Sequence, residues 1–466
     1  MRFTELDYAL FLAVVWLVSR ALRGRRTLWL LWLTLSSLAF YAVGEPRFLV
    51  LLLFSTVLDY VVGRALEAEE RPAIRKRWLW VSLILNLGLL GLFKYGDFLL
   101  SLAERLGQSA GLPGFTLPRL GFALPIGISF YTFQTLASTI DVYRGAPAPK
   151  RLLDFTFFTA FFPQLVAGPI VRSSELVPQI DAPARPRADA IGEGLVLIAI
   201  GLVKKLILGD GIAAALVDPF FAAPHNARLH EALVADWAAY FSLYCDFSGY
   251  TDIAIGSALL FGIVLPVNFD RPAFAASPAE HWRRWHMTLG SWLRDYLYLP
   301  LGGGRGGAWQ RWRNLFLVFF VSGIWHGVGE SYVLMGLYNG VLAATWRHLR
   351  PQAAGGWLGL GERLLAFQLT ALSVLALRPI SLDDLGAALG AFGRLSGPGI
   401  GPPDPYGLLL LFGVIALHLS PRRYKEGLLA WGRVAPAADL ALLLLGVGGL
   451  CAVLSPGARD FYYFQF

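Results

Sequence analysis

The sequence has little charge and almost no cysteine for its length. Only 15% of its 466 residues are Asp, Glu, Lys or Arg, whereas soluble proteins average roughly a quarter. A large soluble helical protein would have to hide every long apolar run in its interior, so that class does not fit. The two cysteines, Cys245 and Cys451, are distant and lie in apolar segments, so neither a disulfide framework nor a metal motif is expected.

The common signatures of soluble enzymes are also missing. The chain has no HExxH, no paired Cys and no acidic ligand cluster, so no metal site is expected. It has no GxSxG elbow and no P-loop. The net charge of +8 does not indicate a nucleic-acid partner, because membrane proteins collect Lys and Arg in their cytoplasmic loops.

Apolar residues are abundant. The chain is 56% hydrophobic and its mean hydropathy is +0.55, and a bilayer crossing takes about 20 apolar residues. The pattern predicts an all-α polytopic membrane protein with about 11–12 transmembrane helices, plus re-entrant and amphipathic helices, and residues 1–466 as one integral-membrane domain. The predicted spans are 6–18, 28–43, 48–62, 78–100, 122–142, 191–217, 237–261, 315–328, 332–346, 357–377, 406–419 and 440–454.

The loops predict an orientation. Basic clusters follow the first and third predicted spans, at 20–26 and 71–77, and Lys and Arg favour the cytoplasmic side. We therefore expect the N-terminus outside, in a multi-pass protein of a bacterial inner membrane. The apolar piece 155–171 is short for a span and is broken by Pro163, Gly168 and Pro169. This pattern is typical of a re-entrant segment, whose irregular backbone must be covered by protein or face water.

Residues 281–305, HWRRWHMTLGSWLRDYLYLPLGGGR, have the periodicity of an amphipathic helix. The apolar stripe predicts one continuous helix that ends before the glycines at 302–304, with His286 on its apolar side. His281 would lie about 140° from His286 around this helix, so the two are not expected to share a ligand. A single histidine on an apolar face also fits a core residue with satisfied hydrogen bonds.

A second histidine, His326, lies in the nearly apolar stretch FVSGIWHGVG at 320–329. Ionisable residues inside membrane spans are costly and are functional candidates. Glycines on either side of His326 leave room for a ligand or another helix. The alternative is a packing face in which Gly323 and Gly327 lie against a neighbouring helix and His326 only bonds across it.

Charged residues form two further groups. Asp246 and Asp252 lie inside the span 237–261 with Ser248 and Thr251, and we interpret them as a structural polar network that fixes helix packing. The second group is an inner basic surface formed by Arg283, Arg284, Arg294, Arg305, Arg311 and Arg313. It could bind the phosphates of a donor, although such arginines more often anchor topology or contact anionic lipid. The residues considered for donor binding or support are Arg283, Arg284, Arg294, Asp295 and Trp325.

Several motifs together resemble one family. They are HWRRWHMTLGSWLRDYLYLPLGG at 281–303, FFPQLVAGPIVR at 161–172, YCDFSGYTDIAIG at 244–256, LPVNFDRP at 265–272 and the Trp-His-Gly at 325–327. In this order they resemble the membrane-bound O-acyltransferase (MBOAT) family, most closely its alginate O-acetylation (AlgI-like) branch. The core of the resemblance covers about 120–350. It implies a helical ring around a central tunnel, with His326 catalytic and His286 a second functional position.

The resemblance implies an inner-membrane O-acyltransferase. It would move an acetyl group from a cytoplasmic thioester, such as acetyl-CoA, outward for O-acetylation of an extracytoplasmic polysaccharide, with no bound cofactor. The expected partners are membrane lipids, the thioester donor, an esterase-like extracytoplasmic acetyltransferase and the polysaccharide acceptor. We expect His286 within about 10 Å of His326, along a water-accessible passage whose inner mouth is flanked by arginines.

Two other functions stay open from the residues alone. Twelve spans with buried charges also fit a transporter or exporter subunit, which predicts internal repeats that this sequence does not have. A non-catalytic membrane subunit that docks partner proteins is the other. Neighbouring genes would discriminate them, since an esterase-like acetyltransferase favours acyl transfer and a nucleotide-binding subunit favours transport.

Overall fold

The computed structural model describes residues 2–44, 46–166, 168–181, 188–349, 356–378, 381–457 and 459–461. Helices are the only regular secondary structure in these ranges, which confirms the predicted all-α class. The chain divides into two compact units, one within residues 11–184 and the other within residues 2–10 and 185–466. The expectation of a single domain over residues 1–466 stays a prediction.

The first unit contains most of α1 and the seven helices that follow it. The helices are α1 Leu6–Leu22, α2 Arg26–Gly44, α3 Leu49–Ala68, α4 Pro72–Ser109, α5 Ile128–Tyr143, α6 Leu152–Ala160, α7 Phe162–Leu165 and α8 Ser173–Asp181. The α5 helix starts later than the predicted span 122–142, because Gly121 and Gly127 adopt positive φ angles just before it. The predicted re-entrant segment forms α6 and α7, which are interrupted at Phe161 and almost completely buried.

One buried carboxylate organises the packing of α3, α4 and α5. Asp59 accepts hydrogen bonds from Ser82 at 2.5 Å, Asn86 at 2.9 Å and Thr139 at 3.0 Å. Each donor lies on a different part of α4 or α5, so the carboxylate fixes how these helices meet α3. A buried polar group is tolerated only when it is bonded in this way.

The second unit carries the remaining helices. They are α9 Ala188–Leu202, α10 Asp210–Ile212, α11 Asp218–Ala222, α12 Leu229–Leu260, α13 Pro278–Arg284, α14 Met287–Leu293, α15 Ala308–His326, α16 Glu330–Leu349, α17 Gly356–Leu375, α18 Leu382–Gly390, α19 Pro405–Leu419, α20 Arg422–Val434 and α21 Ala437–Leu454. Two π-helical segments, Val203–Gly209 and Ala213–Val217, join α9, α10 and α11. A third, Arg294–Tyr298, follows α14.

Small residues let α9 and α12 pack closely. A Cβ placed on Gly201 would lie 2.5 Å from the carbonyl oxygen of Gly249, and one on Gly256 would come as close to Gly194. Only glycine permits backbones to approach to this distance. The contact holds the long α12 helix, which runs behind the two histidines, in a fixed position.

The membrane-spanning character of the chain agrees with its composition. By length and composition, four helical segments could each cross a membrane, namely Arg26–Gly44, Pro46–Ala68, Pro72–Ser109 and Ala437–Leu454. The α19 and α20 helices, bent by 86° relative to each other, would make a fifth span if they are counted together. Each of the other predicted spans also contains a helix, but that helix is shorter, interrupted or more polar.

Candidate active site

His326 is the last residue of α15, rather than an interior residue of a helix that continues to residue 328 as predicted. The backbone becomes fully extended at Gly327, with φ −169° and ψ −179°. Just before the histidine, Gly323 packs against α16, where an added Cβ would lie 2.6 Å from the Cα of Gly336. The close crossing of the two helices, together with the end of α15, holds the imidazole of His326 in the interior, where it is 4% exposed.

The prediction of one continuous amphipathic helix over 281–305 is wrong. The chain breaks between α13 and α14, where Trp285 is extended and His286 is left-handed, with φ 43° and ψ 55°. A neighbouring segment provides the reason. The N–H of Met287 donates to the carbonyl of Asn268 at 2.9 Å, and the N–H of Asp270 donates to the carbonyl of Arg284 at 2.9 Å. These long-range bonds replace helical ones on both sides of His286.

The side chain of Asn268 fixes the orientation and tautomer of His286. Its Oδ1 accepts from the N–H of Thr288 at 3.2 Å and the hydroxyl of Thr288 at 2.9 Å, and lies 3.1 Å from Nδ1 of His286. Since a backbone N–H can only donate, the atom that faces it is the amide oxygen. Nδ1 of His286 must therefore carry a proton, so a neutral His286 exposes Nε2 as an acceptor.

Asn268 is a functional candidate that the analysis of the sequence missed. It is completely buried and touches His286, although 18 residues separate them. The signal was available, because Asn268 lies in LPVNFDRP, one of the motifs that carry the family resemblance. Motif membership alone did not indicate what the amide does.

Trp325 brings the two histidines together. Its ring centroid lies 6.0 Å from that of His286 and 5.0 Å from that of His326, and both contacts are edge-on. The ring of Phe247, on α12, contacts His286 at 4.7 Å. Both imidazoles therefore lie beside one indole ring inside the second unit, and α12 supplies an aromatic wall.

His281 also faces this region. It shares a cavity of about 10 Å³ with His326, Trp285 and residues of α12, α16 and α17. This volume is about that of a single water molecule. Nδ1 of His281 lies 3.5 Å from the Tyr240 hydroxyl and 3.3 Å from the carbonyl of Pro272. Because the helix breaks after α13, the angular argument that separated His281 from His286 no longer applies.

Within the described ranges, no hydrogen bond or ion pair connects the predicted donor-binding arginines to the histidines. Arg283 is exposed, Arg284 pairs with Glu280 at 2.5 Å, and Arg294 pairs with the adjacent Asp295 at 2.7 Å. Burial by itself would raise the pKa of Glu280. The hydrogen bond from Ala276 and the charge of Arg284 outweigh burial, so the pKa of Glu280 lies below its ordinary value.

Asp246 and Asp252 lie apart from the histidines, in ion pairs between helices. Asp246 pairs with Lys205 at 2.5 Å, and Lys205 also pairs with Asp210 at 2.7 Å. Asp252 pairs with Lys204 at 2.7 Å and with Lys425 of α20 at 3.4 Å. These contacts link α12 to the π-helical segment after α9 and to α20.

Comparison with known proteins identifies the family of the chain. Residues 31–352 match the MBOAT, membrane-bound O-acyltransferase family. The chain is 33% identical to a probable alginate O-acetylase AlgI of Azotobacter vinelandii over 92% of this chain and 93% of that protein. It is 39% identical to a protein of the same name from Pseudomonas aeruginosa, over 75% of this chain and 67% of that protein. It is 37% identical to a peptidoglycan O-acetyltransferase of Helicobacter pylori, over 68% and 64%.

Proposed function

Because the chain belongs to the membrane-bound O-acyltransferase family, we propose that it moves an acetyl group from a cytoplasmic thioester to a hydroxyl of an extracytoplasmic polysaccharide. The family makes it a multi-pass membrane O-acyltransferase. One observation in the structure supports the proposal most directly. Two buried imidazoles, those of His286 and His326, lie against the same indole ring, and His326 also lines a cavity of about one water molecule.

In the proposed reaction His326 is the general base. Its imidazole takes the proton of the attacking hydroxyl, the hydroxyl oxygen bonds to the thioester carbonyl carbon, and the carbon–sulfur bond breaks. The proton then leaves with the thiolate as a thiol. An imidazole suits this role, because its ordinary pKa of about 6.5 lies near neutral pH. No acyl-enzyme intermediate is required in this scheme.

The tautomer of His286 narrows its role. A second imidazole beside the base could have three roles, namely to orient the base, to hold the thioester, or to stabilise the developing oxyanion. With Nδ1–H directed at Asn268, a neutral His286 offers only a lone pair at Nε2 and cannot donate to an oxyanion. We therefore favour a role in which Nε2 accepts a hydrogen bond from an O–H donor, either the acceptor hydroxyl or a bridging water.

The arginines of the inner surface support a proposal for the donor and for the side of the membrane from which it enters. The proposed donor is acetyl-CoA or another acyl thioester, whose phosphates would be held by Arg283, Arg284 and Arg294 at the inner mouth of a passage. Only the acetyl arm would then need to reach His326. This arrangement goes with the predicted outside N-terminus and with the cytoplasmic placement of the basic loops.

The acceptor is proposed by analogy with the relatives. The names of those relatives refer to alginate and to peptidoglycan, so a polysaccharide hydroxyl is the shared chemistry. An esterase-like extracytoplasmic acetyltransferase would complete the transfer to the polymer as a partner.

The test compares acetate on polysaccharide from cells that carry only wild-type or variant protein. We expect His326→Ala to lower ester-linked acetate by about 10²–10⁴-fold, the usual contribution of a general base, with unchanged amounts of protein in the membrane. The matched control is His225→Ala, which removes an exposed histidine of the same unit. If activity survives in His326→Ala, or falls only with the amount of folded protein, the catalytic role is wrong.

A further inference from the structure

The second unit contains a cavity that is separate from the histidine site. It has a volume of about 660 Å³, within the range of pockets that enclose small-molecule ligands. Tyr244 and Phe269 line it on one side and contact Trp285 with their rings, at 6.3 and 5.3 Å. Since neither His286 nor His326 lines the cavity, this aromatic layer separates it from the proposed reaction.

The interior of the cavity is apolar. Val196 and Ile200 of α9, with Leu443 and Val447 of α21, are among the residues that line it. On each helix the two residues are one turn apart, so both helices present aliphatic side chains to the same space. A void of this size with aliphatic walls loses contacts unless it is filled, and a hydrocarbon chain is the chemistry that fits it.

The lining of the cavity also contains four cationic side chains. Arg271, Arg422, Lys204 and Lys425 line it, against only two carboxylates, Asp270 and Glu426. A single carboxylate, Asp252, is shared by both lysines. Arg271 donates from Nε to the carbonyl of His418 at 3.1 Å and makes no ion pair within the described ranges. Arg422 pairs with Asp270 at 2.6 Å. When Asp252 is counted, four cationic side chains stand against three carboxylates, and the remaining positive charge fits an anionic group.

The α20 helix indicates where these cationic side chains lie in the membrane. The apolar helix α19 is followed by a bend of 86°, after which α20 has the sequence RRYKEGLLAWGRV. A basic, Trp-containing amphipathic helix next to a spanning helix is typical of a segment that lies in the membrane interface. The mouth of the cavity is then at the level of lipid headgroups and its apolar interior at the level of acyl chains.

We propose that the cavity binds an anionic phospholipid of the bilayer. One acyl chain lies between α9 and α21, and the phosphate lies among Arg271, Arg422 and Lys425. The amphiphilic lining and the interfacial helix favour a membrane lipid as the ligand, because a soluble phosphate compound would leave the apolar interior unfilled. The site is independent of the acyl-transfer proposal, since none of its residues acts in that reaction.

The test is native mass spectrometry of the purified full chain in mild detergent. Phosphatidylglycerol and phosphatidylcholine with identical acyl chains are added at equal concentrations. We expect one phosphatidylglycerol to remain bound under conditions that remove phosphatidylcholine. Equal retention of the two lipids would overturn the proposal, and so would displacement of the bound lipid by acetyl-CoA, which would make the cavity a donor site.

Two pairs of variants locate the site. Arg422→Gln with Lys425→Gln should weaken phosphatidylglycerol binding by about fivefold for each lost charge. Its control, Arg433→Gln, removes an arginine of the same helix that is also ion-paired, with Glu193 at 2.9 Å, but does not line the cavity. Unchanged binding in the first variant, or an equal loss in the control, contradicts the headgroup position.

The second pair tests the acyl-chain position. Val447→Trp should block the cavity and abolish retention of the lipid. Leu445→Trp places the same side chain two residues away on α21, at a position that is 74% exposed and does not line the cavity. Both proteins must elute as monodisperse species. If Val447→Trp folds and still retains phosphatidylglycerol, the lipid does not occupy this cavity.

Discussion

Asn268→Asp offers a sharp test of the proposed role of His286. A carboxylate of the same shape can accept the same three hydrogen bonds from His286 and Thr288. The replacement removes only Nδ2, which has no hydrogen-bond partner among the described residues. The local geometry should therefore survive, and the main change is a negative charge beside the imidazole.

The magnitude follows from the 3.1 Å contact between Oδ1 of Asn268 and Nδ1 of His286. An opposite charge within about 4–6 Å raises the pKa of an imidazole by about 1–3 units, since it favours the protonated form. A protonated His286 has lost the lone pair at Nε2 that we assign to it. Burial, together with the nearby His326, holds the pKa of His286 well below its ordinary value in the wild type. The loss should therefore appear on the acidic limb, where activity should be lower than in the wild type by about 10- to 1000-fold and should recover as the pH is raised.

The assay is the pH dependence of acetyl transfer by protein reconstituted in vesicles. We expect the acidic limb of the profile to move upward by about 1–3 pH units in Asn268→Asp. The control is Asn226→Asp, which introduces the same charge at an exposed position of the second unit. A higher activity of Asn268→Asp near neutral pH would refute the assignment, because it would mean that a protonated His286 is the active form.

Three further predictions concern topology and stability. Arg71→Cys and Arg422→Cys should react with a membrane-impermeant maleimide only from the cytoplasmic side. The two native cysteines are buried and should not interfere. Labelling of both variants from outside would reverse the orientation. The pKa of Glu280 is lower in the folded protein, so the stability that this residue contributes should be complete above pH 4.5 and be lost as the pH falls through the folded-state pKa. Thermal unfolding of Glu280→Gln should lack this pH dependence. A pH profile identical to that of the wild type would contradict the prediction. Gly201→Ala should destabilise the protein by about 1–3 kcal/mol, because the added Cβ would overlap a carbonyl of α12. The control Gly361→Ala should not, because the space around Gly361 is open. Equal melting temperatures for the two variants would show that the close packing of α9 and α12 is not required.

Much of the fold could be predicted from the sequence, because long apolar runs determine where helices form in a membrane protein. A helix occupies each predicted span, since a lipid-exposed backbone must bond within itself. The residues at which the helices begin and end were less predictable. The α5 helix begins at Ile128 and α15 ends at His326, and both limits depend on local backbone geometry at glycines, which hydropathy does not register.

The site was predictable only in part. His286, His326 and Trp325 were identified from their types and motifs, and the structure brings them together. The residues that hold these side chains in position were not identified, because they act through contacts between parts of the chain that are far apart in sequence. Periodicity over 281–305 indicated a continuous helix, and no local signal shows that residues 268–270 bind to the chain on either side of His286 and break it.

The segment 268–270 connects the two sites of the second unit. Asn268 bonds to His286, Phe269 lies between Trp285 and the large cavity, and Asp270 pairs with Arg422 at 2.6 Å. A left-handed histidine costs about 1–3 kcal/mol and persists only where its surroundings impose that conformation. Here the imposing bonds come from a segment whose other side lines the lipid cavity. Changes at the cavity can therefore reach the reaction through the position of Asn268, because this residue holds the imidazole of His286.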